Sequence, residues 1–138
     1  MSMKELLLTI DVLCKEPLSV KGGETEITMV PFTGKAHGEC FNGETVGEGV
    51  DTQRLDRRTG KFTLSARYML EGTDIDGNKC RLFIDNSTRG DGGLHPAIVT
   101  DSPLLADRLN APLTADVQGA DGGVTVRIYR EARKTAET

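Results

Sequence analysis

The chain has 138 residues, 37% of them apolar, with 17 basic residues against 21 acidic ones and a formal charge of −4. That length fits one domain, read here as residues 1–131 with a frayed polar tail at 132–138, and it supports a core without covalent staples. The acidic balance argues against nucleic acid or an anionic membrane as a partner. Three scattered cysteines, Cys14, Cys40 and Cys80, show no CxxC spacing. They indicate neither a disulfide framework nor a zinc cluster, and reduced thiols point to the cytoplasm.

In chain order, residues 5–13 alternate, with Leu6, Leu8, Ile10 and Val12 expected on one face and Leu7, Thr9 and Asp11 on the other. The run Leu6-Leu7-Leu8 is too short for an export signal or a membrane span. An amphipathic helix competes for this stretch, but the β-branched residues and the nearby Pro17 favour a strand. After Gly22-Gly23, residues 25–32 form a second strand, with Pro31 expected at an edge, a bulge or the strand's end. Residues 33–53 carry glycines at 34, 38, 43, 47 and 49 and read as a pair of short strands. Glycine within a strand marks a tight bend, a bulge or a close approach by another backbone or a ligand. The mixed charges of residues 53–60 read as a solvated loop.

The clearest element is a hairpin, Lys61 to Glu71 returning as Cys80 to Asp85 around an Asp-Gly-Asn turn. Phe62, Leu64, Ala66, Tyr68 and Leu70 should face a core, with Thr63, Ser65, Arg67 and Glu71 facing outward. Residues 86–93 read as a flexible polar loop, and 97–100 as a short strand. Ser102 is placed to cap a short helix that starts at Pro103 and ends before Asn110 and Pro112. A last hairpin joins residues 113–118 to 124–130.

Seven to ten short antiparallel strands with one small helix leave open edges unless the sheet closes. The predicted fold is an all-β, antiparallel closed barrel of about 8–10 strands. Six aromatic residues against sixteen glycines leave such a barrel short of material to fill its interior, which points to a cavity.

Four stretches, Glu5 to Ile10, Gly47 to Gln53, Leu64 to Tyr68 with the Asp76-Gly77 turn, and Val124 to Tyr129, resemble the domain-of-unknown-function family 3237 over nearly the whole chain. The resemblance implies a small, soluble, lipocalin-like (calycin-like) β-barrel without an assigned general activity. Its most specific motif resembles Gly-Gly-x-Asp-Trp-Gln. Gly49, Asp51 and Gln53 match it, while Glu48 replaces the first glycine and Thr52 the tryptophan.

Asp51 and Gln53 share a face if they lie on a strand, where a carboxylate and an amide can hold a polar ligand group. The competing reading makes Asp51 a turn cap and Gln53 the start of the loop. Tyr68 belongs to the apolar face, as a core ring or as a ligand contact. Arg67 is an outward ion pair, or an anion anchor if the register is reversed. His37 is a candidate general base; neither it nor His95 has metal-ligand spacing. No nucleophile elbow, P-loop or dinucleotide fingerprint occurs, so no cofactor is expected.

The expected function is binding of a small, largely apolar molecule with a polar end, held by Asp51, Gln53, Tyr68 and Arg67. One alternative is cofactorless acid–base catalysis of the isomerase, lyase or cyclase type, with Asp51, Tyr68 and His37 as candidates. Another is a solid-cored structural protein, with a homodimer through an exposed strand or the glycine-rich region.

Overall fold

The computed structural model describes residues 3–131, so the expected tail at 132–138 lies outside the described residues. In order, the elements are β1 (Lys4–Cys14), β2 (Leu18–Lys21), β3 (Thr25–His37), β4 (Phe41–Thr45), β5 (Gly49–Asp56), β6 (Phe62–Asp74), β7 (Lys79–Thr88), β8 (Leu94–Thr100), α1 (Pro103–Arg108), β9 (Leu113–Ala120) and β10 (Gly123–Glu131). Every pairing is antiparallel, and β1 bonds to both β10 and β3, which closes the sheet. The result is the expected barrel: eight strand positions, two extra strands and one short helix. β4 and β5 together occupy one position between β3 and β6. Among the described residues no helix is long and apolar enough to cross a membrane.

Several local expectations give way to the closed geometry. In β1 the register with β10 shifts between Leu6 and Leu8. This bulge turns both Leu7 and Leu8 into the core and leaves Leu6 45% exposed, because an extra residue in one strand reverses the alternation beyond it. β3 does not end at Pro31. It runs on to His37 and changes neighbours there, pairing β2 up to Met29 and β1 from Phe32. Proline has no N–H to donate, so it fits where one partner strand leaves and the next begins. Phe62 opens β6 beyond the packed interior and stays 50% exposed.

The barrel is solid at one end. Leu7, Ile10, Phe41, Leu70, Leu82, Ile84 and Ile128 are essentially inaccessible, and Leu105 of α1 closes over them. The helix is set there by its cap, since the Ser102 hydroxyl accepts from the Leu105 amide at 3.2 Å and donates to Asp74 Oδ2 at 2.8 Å. Asp74 also accepts from the amides of Asp76 and Asn78 at 3.0 Å each. Burial opposes ionisation of Asp74, but these donors outweigh it and hold its carboxyl below the usual range. Its stabilising contribution is therefore present above the ordinary value of 3.8 and is lost as pH falls through the lowered one. Ser102→Ala removes the cap and is expected to destabilise the fold by about 1–2 kcal/mol in urea unfolding at pH 7. The loss should shrink on acidification as the carboxyl protonates.

The thinnest seam is β8 to β9, which share one paired position, Leu94 with Ala115. His95 spans it, with Nδ1 3.3 Å from the Leu113 carbonyl and Nε2 2.8 Å from Asp91.

Candidate functional site

The other end of the barrel is hollow. A cavity of about 280 Å³ lies above the packed layer, walled by apolar side chains that include Val12, Val30, Leu64, Val117, Val124 and Val126. The pleat explains the division. Along β6, Leu64, Ala66 and Tyr68 face the cavity while Leu70 belongs to the packed layer, and along β10 Val124 and Val126 do so while Ile128 does not.

Four polar side chains enter this apolar space: Asp51, Gln53, Tyr68 and Asn86. β5 extends through Asp56, so Asp51 and Gln53 both lie on a strand and point the same way, and the solvated loop begins only after them. Gln53 Nε2 donates to Asp51 Oδ2 at 2.9 Å, while Asp51 Oδ1 is buried with no hydrogen-bond partner among the described residues. Burial pushes the Asp51 carboxyl above its ordinary range, and the Gln53 amide only partly offsets this.

Tyr68 is 4% exposed, and its hydroxyl likewise has no partner among the described residues. Burial raises its pKa well beyond that of a free phenol. Its ring meets Phe32 edge to face at 5.1 Å and 74°. Gly49 makes that contact possible, because a Cβ there would lie 2.6 Å from both Phe32 Cζ and Tyr68 Cβ. Asn86, 3% exposed, presents a third unpartnered buried oxygen, Oδ1.

Asn86 is the site residue that the sequence reading does not single out. Cys80, Leu82 and Ile84 face inward, so the period of two already places residue 86 inside. Its polar neighbours Ser87 and Thr88 made the stretch look like a loop, whereas β7 continues through Thr88.

Two expected site residues lie elsewhere. Arg67 neighbours Tyr68 on β6, so the pleat turns it outward, where it sits 3.6 Å from Asp85 on the outer surface. The register that would make it an anion anchor in the cavity does not occur. His37 follows the buried Ala36 on β3 and is therefore exposed, 3.2 Å from Asp11. It cannot serve as a base in the cavity. Cys80 is buried in the core, as read from the sequence. Among the described residues no group of three His, Cys, Asp or Glu side chains is placed to hold a metal ion.

Residues 4–90 match the family described as protein of unknown function (DUF3237). The chain belongs to the DUF3237 family. Within this DUF3237 barrel the motif residues Gly49, Asp51 and Gln53 all face the interior side of β5, whereas Thr52 lines an outer groove with Val50 and Arg54. The departure at Thr52 thus leaves the cavity untouched. Solved structures share the barrel. A protein of unknown function from Clostridium acetobutylicum is 20% identical over 96% of this chain and 98% of its own, with a TM-score of 0.78. An enzyme from Penicillium herquei is 12% identical over 95% of each chain, with a TM-score of 0.73. A beta-barrel like protein from Acinetobacter baumannii is 14% identical over 96% and 97%, with a TM-score of 0.70. At these identities the likeness is one of fold. No curated protein matches the sequence.

Proposed function

We propose that this barrel binds a small, largely apolar molecule whose polar end is held by Asp51, Tyr68 and Asn86, with Gln53 fixing the Asp51 carboxylate. One observation carries the reading: among the described residues, three buried oxygens without partners belong to side chains that line the same cavity. Each such group costs a fold roughly 1–3 kcal/mol, so a site that keeps three of them fits a ligand that satisfies them. The cavity is near the lower limit of small-molecule pockets, which run from about 300 to 1,000 Å³.

The test is mass spectrometry of small molecules that co-purify with the native protein, with Asp51→Ala and with Tyr68→Phe. The native protein should retain a compound that both variants lose. Equal retention by all three would contradict the site.

A second reading has its own support. A carboxyl raised by burial, beside a hydroxyl that can donate, is the pairing needed for cofactorless proton transfer of the isomerase, lyase or cyclase type, with Asp51 as base and Tyr68 as acid. An enzyme of the same fold from Penicillium herquei is consistent with it. The two readings part on whether the retained compound is converted by the native protein and left unchanged by a folded Asp51→Asn. The exposed thiol of Cys14 fits the cytoplasmic setting we propose for either.

A further inference from the structure

We infer that the polar end of the ligand is a primary ammonium group, seated over Ala66 between Asp51 and Asn86 and within reach of Tyr68. The inference rests on the binding reading above and adds the chemistry of the recognised group.

The strand register sets the arrangement. Asp51 pairs with Ala66 across β5 and β6, and Ala66 pairs with Asn86 across β6 and β7. Three adjacent strands therefore place a carboxylate and an amide on either side of a methyl group, their Cα atoms about 10 Å apart. Ala66 leaves open the space that a longer side chain would fill. Tyr68 stands two residues further along the same face of β6, roughly 7 Å from Ala66.

All three unpartnered oxygens can accept hydrogen bonds, and two of them, Asp51 Oδ1 and Asn86 Oδ1, can do nothing else when the acid is ionised. A primary ammonium brings three donors from one atom and matches them in number. An alcohol brings one donor, so even when it also accepts from the Tyr68 hydroxyl it leaves either Asp51 Oδ1 or Asn86 Oδ1 unpaired. A carboxylate or phosphate brings none. Charge points the same way. Among the described residues that line the cavity there is no Lys, Arg or His, so the Asp51 carboxylate has no cation beside it. In a low-dielectric space an uncompensated carboxylate attracts a ligand cation and repels an anion. Gln53 binds Oδ2 and leaves Oδ1 without a partner among the described residues. The apolar walls then accept the hydrocarbon part. About 280 Å³ is the room of roughly nine water molecules, which sets a compact amine.

The experiment is an NMR titration of the full chain at pH 7, observing backbone amides, with 2-phenylethylamine, 2-phenylethanol and phenylacetate. The native protein should bind the amine at least about tenfold more tightly than the alcohol, with phenylacetate weakest and the shifts centred on residues 51, 66, 68 and 86. Asp51→Asn should erase the amine's advantage while leaving the alcohol's affinity within a few-fold. An alcohol or acid that binds in the cavity as tightly as the amine overturns the ammonium assignment and leaves the binding reading standing. So does an amine preference that survives Asp51→Asn. Shifts from all three probes confined to residues outside the cavity overturn both.

Discussion

Gly72→Ala should cost the fold about 3 kcal/mol, a large share of the ~5–15 kcal/mol that holds a domain of this size. Gly72 on β6 faces Gly43 on β4 in the register. A Cβ at Gly72 would lie 1.9 Å from the Asn42 carbonyl oxygen and 2.5 Å from Gly43 Cα. Both obstacles are backbone, so no rotamer change relieves them and the strands must separate. Gly43 also makes room for Phe41, since a Cβ there would lie 2.7 Å from Phe41 Cζ. Phe41 is 1% exposed and belongs to the packed end of the barrel, so separating β4 from β6 also loosens that end. Urea unfolding followed by circular dichroism checks this. Because β5 separately pairs with β6 along Val50 to Leu55, the cavity end should keep its register in any folded fraction.

Asp51→Asn should move binding and stability in opposite directions. Binding of an ammonium-bearing ligand should weaken by roughly 100-fold, since loss of one partner from a desolvated charge pair costs about 2–5 kcal/mol. Stability at pH 7 should rise, by about the 0.5–2 kcal/mol that single stabilising substitutions commonly give, because the neutral amide carries no cost of ionising in a buried place. The sign follows from the raised carboxyl. The native state holds its proton at pH values where the unfolded chain has already lost it, so stability falls as pH rises from the ordinary value of 3.8 through the elevated one. Above that window the penalty is complete. The variant's advantage should thus grow as pH rises from 3.8 through the elevated value and vanish below 3.8. Thermal unfolding of both proteins across pH 3 to 8, beside ligand titration, reads out the two effects. A variant that binds as well as the native protein would remove Asp51 from the site.

The period of two was enough to place most of this barrel. It set Leu64, Ala66, Tyr68 and Leu70 on the inner face of β6 and put Asp51 and Gln53 side by side, before any neighbouring strand was known. Where it failed, a long-range constraint had intervened. The bulge at Leu7 depends on how β1 meets β10, which no local pattern contains. The passage of β3 through Pro31 depends on a change of neighbours supplied by β1 and β2. Leu18–Lys21 is too short and too exposed to announce itself as a strand. Asn86 was legible in principle, one step beyond Ile84, but polar composition outweighed periodicity. For the candidate site the sequence could name the carboxylate, the amide and the phenol. It could not show that their oxygens lack partners, because that depends on every strand around them.

On the binding function we propose, the open end of the barrel encloses the space where a small molecule is held. Ala66→Leu is the decisive variant, since the added side chain enters the cavity between Asp51 and Asn86 without altering any polar group. Native mass spectrometry before and after denaturation, on protein whose fold is checked by circular dichroism, should find a released small molecule in the native chain and none in Ala66→Leu. An equal amount released from both would contradict the account.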